Sequence, residues 1–345
     1  PLSLFLFTGV LVTNAYLLQK DKVRKPNFVF IMADDLGYHD IGLRNPDVIT
    51  PNLDALASKG VILTNNYVQA LCTPSRHALM SGRYPSASAM QSMVIQPMEA
   101  RCAGLEYKFL PQYLKELGYK NHMVGKWHLG YCRDECLPTS RGFDTFYGLY
   151  AGAGDYWSHE IFGKYDWHIN GDIHFEANGT HSQDLEMEGL DKVFDEHDSK
   201  DPLFLYFAPQ NPHTPSQPTD EFLNLYPEDK FDDIRRKYLG LTSGLDAMVG
   251  KIVEKLENNG LMDNTYVIFV SDNGADPPEG LNTPFRGGKG SLFEGGTKSN
   301  SFVYSPLLNK TGYENDGLMH ITDWLPTLVK LAGGKVMDGQ YIHCC

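Results

Sequence analysis

The sequence carries little positive charge, and it has no long apolar run beyond its first residues. It has 30 Lys and Arg residues and 43 Asp and Glu residues, which gives a net charge of −13 at pH 7. Nucleic-acid-binding proteins present a basic surface, so this balance argues against a nucleic-acid partner. The mostly apolar run at residues 2–12 is short for a membrane span, and no other stretch is apolar enough to form one. Six cysteines in 345 residues are also too few for a disulfide scaffold.

The first residues are typical of a secretory signal. The apolar run ends at Thr13-Asn14-Ala15, which resembles a cleavage site, so we expect residues 1–15 to be a signal peptide with an incomplete start. The glycosylation sequons at Asn178 and Asn309 fit a secreted chain. We therefore expect passage through the secretory pathway. In that oxidising compartment, Cys102 and Cys136 are candidate partners for a disulfide.

Apolar runs alternate with helical patterns along the chain. Nearly continuous apolar runs are typical of strands that are buried on both faces of a parallel sheet. They predict strands at residues 27–32, 120–124, 203–208 and 266–270. A long amphipathic helical pattern covers residues 232–259. The alternation predicts an α/β fold, a mainly parallel sheet with helices on both faces. We interpret residues 141–199, which are rich in Gly and aromatic residues, as a loop-rich insertion or surface lobe.

Polar side chains follow these strands at the points where they end. In open α/β sheets, ligands gather beyond the carboxyl ends of the strands. For any one of these groups, a solvated turn is the ordinary alternative. The groups in chain order are Asp34-Asp35, Lys126 with His128, His213, and Asp272-Asn273.

Cys72 precedes a short helical pattern that Gly82 can close. Pro74 suits the first turn of a helix because it lacks an N–H that would have no partner there. A helix start favours an anion, and it is a suitable place for a nucleophile that attacks a charged ester. For a lone cysteine, a buried structural role is the more common alternative.

The residue types in these segments fit the cleavage of a sulfate or phosphate ester. Four side chains with oxygen ligands suit Ca²⁺ or Mg²⁺ better than Zn²⁺, namely Asp34, Asp35, Asp272 and Asn273. Three cationic side chains suit a tetrahedral oxyanion, namely Arg76, Lys126 and Lys289. His128 and His213 could transfer protons.

The segment Cys72-Thr73-Pro74-Ser75-Arg76 resembles the sulfatase signature Cys-x-Pro-x-Arg, which Ser81-Gly82-Arg83 continues. Further motifs occur in the order of that family, and together they cover residues 26–336, which we expect to be the catalytic domain. They are Ala33-Asp34-Asp35-Leu36-Gly37, Gly125-Lys126-Trp127-His128-Leu129-Gly130, Pro212-His213-Thr214-Pro215, Ser271-Asp272-Asn273-Gly274, and Gly288-Lys289 before Glu294-Gly295-Gly296. Residues 136–144 and 323–328 look most like the arylsulfatase B branch.

The resemblance implies an alkaline-phosphatase-like sandwich and a mechanism that depends on formylglycine. Cys72 would be converted by the formylglycine-generating enzyme, and the hydrate of the product would be the nucleophile. One Ca²⁺ would be bound by the modified Cys72 together with Asp34, Asp35, Asp272 and Asn273. Arg76 would hold the formylglycine, and Lys126 and Lys289 would bind the sulfate. His128 would assist the attacking hydroxyl, and His213 would protonate the leaving oxygen.

The resemblance also implies a substrate class and reveals one departure. It implies removal of the 4-sulfate of N-acetylgalactosamine in dermatan or chondroitin sulfate, or turnover of an aryl sulfate, by a lysosomal or secreted protein. Family members usually continue into a small C-terminal domain, whereas we expect that domain to be absent here and residues 337–345 to be a divergent tail. The alternatives are an inactive truncated sulfatase-like chain, or a phosphatase or phosphonate hydrolase of the same superfamily.

Overall fold

A ten-stranded sheet runs through residues 24–336, the part of the chain that the computed structural model describes. The expected signal peptide at residues 1–15 and tail at residues 337–345 lie outside the described residues. The strands are β1 Asn27–Ala33, β2 Val61–Leu63, β3 Asn66–Tyr67, β4 Lys120–Gly125, β5 Thr145–Gly148, β6 Glu160–Ile161, β7 Lys164–Tyr165, β8 His168–Ile169, β9 Asp172–Ile173, β10 Leu203–Ala208, β11 Thr265–Ser271, β12 Ser301–Tyr304, β13 Tyr313–Asn315 and β14 Met319–His320.

The order across the large sheet is β13-β2-β12-β11-β1-β10-β4-β5-β8-β9. The five strands from β11 to β5 are parallel, with Val29 of β1 level with Leu205 of β10 and Val267 of β11. β12 pairs antiparallel with β11 on one side, and β8 and β9 add antiparallel strands on the other. Every residue of β1 and β10 is buried, which explains their continuous apolar sequences. The predicted mainly parallel, mixed sheet is confirmed.

Helices cover both faces of the sheet, as predicted. They are α1 Pro51–Lys59, α2 Cys72–Ser81, α3 Leu110–Glu116, α4 Ser182–Glu196, α5 Asp220–Leu223, α6 Asp233–Asn258, α7 Glu294–Thr297 and α8 Trp324–Leu331. Single-turn 3₁₀ helices lie at Pro85–Ala87, Asp134–Cys136, Pro138–Arg141, Phe175–Ala177, Met262–Asn264 and Ile321–Asp323. No helix within residues 24–336 has the length and apolar character needed to cross a bilayer.

The alternation of side chains along β1 supplies two separate cores. Phe28, Phe30 and Met32 pack in one cluster with residues of α2, α3 and α8. Val29 and Ile31 pack in the other with residues of α1, α4 and α6. Because each strand residue points to the face opposite its neighbour, one apolar strand anchors both helical layers.

Residues 141–199 are more regular than the sequence indicated. β5, β8 and β9 extend the main sheet, and α4 packs on it, so this segment is not a separate lobe. Strands of two to four residues are too short to show an alternating pattern. Gly189 allows α4 to lie close to β5, because a Cβ there would stand 3.1 Å from the Cβ of Tyr147.

A disulfide joins Cys102 to Cys136, as the sequence suggested. Cys132, for which the sequence offered no partner, is exposed. Its sulfur lies within 4.8 Å of both sulfurs of the bond.

One carboxyl group lies inside the helical layer without a cationic partner among the described residues. Glu186 of α4 is fully buried, and neither of its carboxyl oxygens has a hydrogen-bond partner among the described residues. Burial raises the pKa of Glu186 from 4.5 to about 8. The folded chain therefore holds this group as a neutral acid at neutral pH.

The core predicts the outcome of a matched pair of substitutions. Phe30 is fully buried and its ring meets those of Tyr206 and Trp324, whereas Phe162 is 74% exposed. Phe30→Ala is expected to lower the free energy of unfolding by ~3–5 kcal/mol, and Phe162→Ala by less than about 0.5 kcal/mol. Urea unfolding measures both. Equal losses would contradict the placement of Phe30 between sheet and helices.

Glu186 predicts a pH dependence of stability. Above pH 4.5 the unfolded chain releases this proton, whereas the folded chain keeps it up to about pH 8. Stability should therefore fall as the pH rises from about 4.5 to about 8, by on the order of a few kcal/mol from this group. In urea titrations across this range, Glu186→Gln should remove that part of the slope. Glu188→Gln, an exposed site on the same helix, should leave it in place.

Candidate active site

The predicted site residues come together at one edge of the parallel sheet. Asp34 and Asp35 follow β1, Lys126 follows β4, His213 lies in the loop after β10, and Asp272 follows β11. Since these strands are parallel, their carboxyl ends meet at the same edge. The start of α2, with Cys72, lies against this edge, because the Cys72 sulfur is 3.8 Å from Oδ1 of Asp35.

Cys72 is the first residue of α2 and is 1% exposed. Leu71 caps the helix in an extended conformation, and Gly82 ends it with φ of 65°, a left-handed value that glycine adopts readily. Burial raises the pKa of the Cys72 thiol well above its usual value; Lys126 opposes this shift, while Asp272 adds to it. At neutral pH this group is a protonated thiol, which is a poor nucleophile.

Arg76 joins three of the loops. Its Nε and NH2 atoms donate to Oδ2 of Asp272 at 3.1 and 2.8 Å, and NH2 lies 3.4 Å from Oδ1 of Asp34. NH1 donates to the carbonyl of Lys126 at 3.0 Å. Burial alone would lower the pKa of Arg76, but Asp272 and other anionic neighbours more than offset it, so the guanidinium stays charged.

Two lysines each neutralise one carboxylate of the Asp34-Asp35 pair. Nζ of Lys126 lies 2.6 Å from Oδ2 of Asp34, and Nζ of Lys289 lies 2.5 Å from Oδ2 of Asp35. Burial alone would raise the pKa of both carboxyl groups. The positive neighbours outweigh burial and hold both pKa values below their usual range. Lys126 has the largest such effect on Asp34, and His213 has the largest on Asp35. Both aspartates are therefore ionised.

The oxygen donors at this edge fit a hard cation. Oδ1 of Asp34 and Oδ1 of Asn273 are buried without a hydrogen-bond partner among the residues described. The Asn273 amide nitrogen donates to Oδ1 of Asp35 at 2.7 Å, which leaves the amide oxygen free to bind a ligand. Burial and the charge of Asp34 raise the pKa of Asp272, so this carboxyl group also gains from a nearby cation. An all-oxygen donor set suits Ca²⁺ or Mg²⁺.

The two histidines of the site differ in their hydrogen bonds. Nε2 of His128 donates to the carbonyl of Ile95 at 3.1 Å, so Nδ1, which has no partner in the described chain, carries the lone pair. Burial, and next Lys126, lower the pKa of His128 well below its usual value, so the ring is neutral. Nδ1 of His213 donates to the carbonyl of Thr214 at 2.6 Å, and its Nε2 lies 3.0 Å from Nζ of Lys289.

Asp35 and His128 both have a left-handed backbone, with φ of 62° and 55°. This conformation is strained for residues with a Cβ and persists where the surroundings impose it. The hydroxyl of Tyr238 donates to the carbonyl of Asp35 at 2.9 Å and accepts from the N–H of Gly37 at 3.0 Å. The hydroxyl of Thr73 donates to the carbonyl of His128 at 3.1 Å.

The sequence analysis did not single out Tyr238 or Thr73 as site residues. Tyr238 lies on the apolar face of α6, where the pattern predicted only core. A buried tyrosine hydroxyl needs a hydrogen-bond partner, and this requirement was the available signal. Thr73 lies within the Cys72 segment, but its contact with His128 depends on a loop 55 residues away.

Comparison with known proteins agrees with this geometry. The profile of the sulfatase family matches residues 26–334. Arylsulfatase J of Mus musculus is 41% identical over 319 residues, which are 90% of this chain and 53% of that protein. N-acetylgalactosamine-6-sulfatase of Mus musculus is 33% identical, with coverage of 94% and 66%. The chain thus spans from about half to about two thirds of these relatives.

Solved structures share the fold. The crystal structure of Ps i-CgsB superposes with a TM-score of 0.85 at 35% identity, covering 92% of this chain and 74% of that chain. The PsFucS1 sulfatase from Pseudoalteromonas sp. gives a TM-score of 0.74 at 26% identity, with coverage of 94% and 70%. These likenesses confirm the expected alkaline-phosphatase-like fold, whereas the particular resemblance to the arylsulfatase B branch stays a prediction. The profile match and the shared fold establish that this chain belongs to the sulfatase family.

Proposed function

We propose that this chain hydrolyses sulfate esters at the Cys72 site. The observation that carries the proposal is the convergence of Arg76, Lys126 and Lys289 on the start of α2, where backbone N–H groups also favour an anion. In this role Lys126 and Lys289 bind the sulfate oxygens. The names of the relatives, among them arylsulfatase J and N-acetylgalactosamine-6-sulfatase, support the same reaction.

The nucleophile in this proposal is a modified Cys72. A buried, protonated thiol is unsuited to attack, which supports conversion of Cys72 to formylglycine by the formylglycine-generating enzyme. As its hydrate, formylglycine supplies a hydroxyl in place of the thiol. Arg76 holds the modified side chain, because its guanidinium is fixed by Asp272 and Asp34 beside it.

One Ca²⁺ completes the proposed site. It is held by Asp34, Asp35, Asp272, Asn273 and the modified Cys72. The oxygens of Asp34 and Asn273 that lack a hydrogen-bond partner among the described residues support this set. When bound, the ion withdraws negative charge from the sulfate and favours ionisation of the attacking hydroxyl. The three carboxylates of the site already match its three cationic side chains, so the charge of the ion offsets that of the incoming anion.

The histidines carry the protons. Nδ1 of His128, with its free lone pair, accepts the proton of the attacking hydroxyl. Nε2 of His213, which lies 3.0 Å from Nζ of Lys289, delivers a proton to the leaving oxygen. Oδ2 of Asp35 lies 3.5 Å from the same Nε2 atom.

The proposed substrate is a sulfated glycan. The finer proposal is removal of the 4-sulfate of N-acetylgalactosamine in chondroitin or dermatan sulfate, with aryl sulfates as small surrogates. A relative named for N-acetylgalactosamine-6-sulfate, and a structural neighbour that binds k-i-k-neocarrahexaose, support a carbohydrate substrate. The position of the sulfate is therefore the variable to test.

We place the protein in the secretory pathway, as a lysosomal or secreted protein. The asparagines of both sequons, Asn178 and Asn309, are exposed, and the Cys102–Cys136 bond fits an oxidising compartment. If an N-glycosidase increases the gel mobility of the protein by removing N-linked glycans, that result would support this location.

The state of Cys72 can be tested directly. Mass spectrometry of the Cys72 peptide from secreted protein should find the aldehyde, and the protein should cleave 4-nitrophenyl sulfate faster than 4-nitrophenyl phosphate. Cys72→Ala should lower kcat by at least about a thousandfold, because the nucleophile is lost. An unmodified thiol in active protein would rule out the proposed nucleophile. Faster cleavage of the phosphate ester would favour the phosphatase alternative. A fully modified chain that cleaves neither ester would favour the alternative of an inactive sulfatase-like chain.

Cation binding is tested by thermal stability. After treatment with a chelator, Ca²⁺ should raise Tm in a concentration-dependent manner, because it binds the folded chain only. Asn273→Ala should weaken this shift, since it removes a free oxygen donor without changing the charge. Asn259→Ala, an exposed site after α6, should leave the shift intact. Equal shifts in both variants would contradict the proposed ligand set.

A further inference from the structure

A cleft of about 400 Å³ lies among the loops that follow β4 and β5 and the strands β7 and β8. Its lining includes Met98, Tyr131, Tyr150, Lys164, Tyr165 and His168, and we call it the aromatic cleft. Its volume lies within the range of small-molecule sites, roughly 300–1,000 Å³. It is formed by β7, β8 and the residues after β5, at the edge of the sheet that the sequence analysis interpreted as a loop-rich lobe.

The walls of the aromatic cleft are bonded to the loop that carries His128. The N–H of His128 donates to the carbonyl of Tyr150 at 3.1 Å. Ile95, whose carbonyl accepts from the His128 ring, lies three residues before Met98, and the N–H of Met98 donates to the hydroxyl of Tyr131 at 3.1 Å. The residues that line the cleft are therefore hydrogen-bonded to the loop that carries His128.

The rings of the cleft are held in place; Tyr150 is buried, whereas Tyr131 and Tyr165 are half-buried and line the cleft. The ring of Tyr150 stacks on that of His168 at 4.0 Å and on that of Tyr131 at 6.1 Å. The hydroxyls of Tyr150 and Tyr165 donate to backbone carbonyls at 2.6 and 2.7 Å. Fixed aromatic faces suit the C–H faces of sugar rings, because they gain contact area without losing side-chain freedom on binding.

The lining of the cleft carries one carboxylate, Asp166, and one lysine, Lys164. Asp166 accepts the N–H groups of Tyr150 and Ala151 at 3.0 and 2.7 Å, and its Oδ1 lies 3.0 Å from Nε2 of His168. Lys164, by contrast, is exposed and forms no ion pair with any residue between 24 and 336. In a chain with a net charge of −13, this lysine is a local site for an anionic group.

We propose that the aromatic cleft binds the sugar residues next to the sulfated one in an acidic glycan, with Lys164 facing an anionic substituent of the neighbouring sugar. The inference rests on the proposed function, since it assigns the part of the same substrate that is not cleaved. Its consequence is a division of labour: the Cys72 site selects the sulfate ester, and the cleft selects the glycan that carries it.

The test compares two substrates in matched variants. The control for Tyr165→Ala is Tyr313→Ala, on β13 at the opposite edge of the sheet. The control for Lys164→Ala is Lys120→Ala, at the start of β4, the end of the strand away from Lys126. With 4-nitrophenyl sulfate all four variants should keep kcat/KM within about twofold of the parent. With a chondroitin 4-sulfate tetrasaccharide, the cleft variants should raise KM roughly three- to tenfold and the controls should not. The effect of Lys164→Ala should shrink as salt is added.

Equal losses on both substrates would show that the cleft residues are structural, and unchanged kinetics on the tetrasaccharide would show that it binds elsewhere. Either result overturns the inference. Calorimetry can measure the affinity of the tetrasaccharide for the Cys72→Ala protein, with and without Tyr165→Ala. This comparison tests whether the cleft binds the glycan, independently of turnover. If no substrate is cleaved but Tyr165→Ala weakens binding, the proposed reaction fails and the cleft stands. If 4-nitrophenyl sulfate is cleaved but the tetrasaccharide does not bind, only the cleft fails.

Discussion

Three carboxylates buried at one point are the constraint on which the site depends. Asp34, Asp35 and Asp272 are at most 3% exposed, and an unpaired carboxylate in such a place costs several kcal/mol. Each has a cationic partner from another segment of the chain: Lys126 and Lys289 from loops, and Arg76 from helix α2. The charge balance therefore fixes the positions of the loops relative to one another. The side chains that would bind an anionic substrate are the same ones that hold the site together.

The parallel sheet makes this arrangement possible. β1 lies between β10 and β11, so the loops after all three strands open at one edge. The left-handed turn at Asp35, fixed by Tyr238, directs the second carboxylate toward Cys72. Beyond β4 the same edge continues into the loops after β5, where the aromatic cleft lies. Bond cleavage and glycan recognition would thus share one surface of the sheet, although residues far apart in sequence supply them.

The sequence predicted what depends on local signals, and little of what depends on tertiary placement. The buried strands and the Cys72 helix have strong local patterns, and the polar groups after the strands could be placed from the rule for parallel sheets. The segment 141–199 is loop-rich, as expected, but its short strands were not predicted, because two-residue strands take their conformation from pairing with neighbours. The roles of Tyr238 and of the Ile95 carbonyl could not be predicted either, since each depends on one contact with a distant loop.

The pairings of the site also set an order of events during synthesis. Lys126 follows Asp34 by 92 residues, Asp272 follows Arg76 by 196, and Lys289 follows Asp35 by 254. A ribosome releases the acidic pair and Cys72 long before the last partners exist, and contacts of such separation form slowly. Until Asp272 and Lys289 are made, the ion pairs around Cys72 are incomplete. Any enzyme that alters this residue must therefore act on the growing or unfolded chain, since the completed fold leaves it 1% exposed.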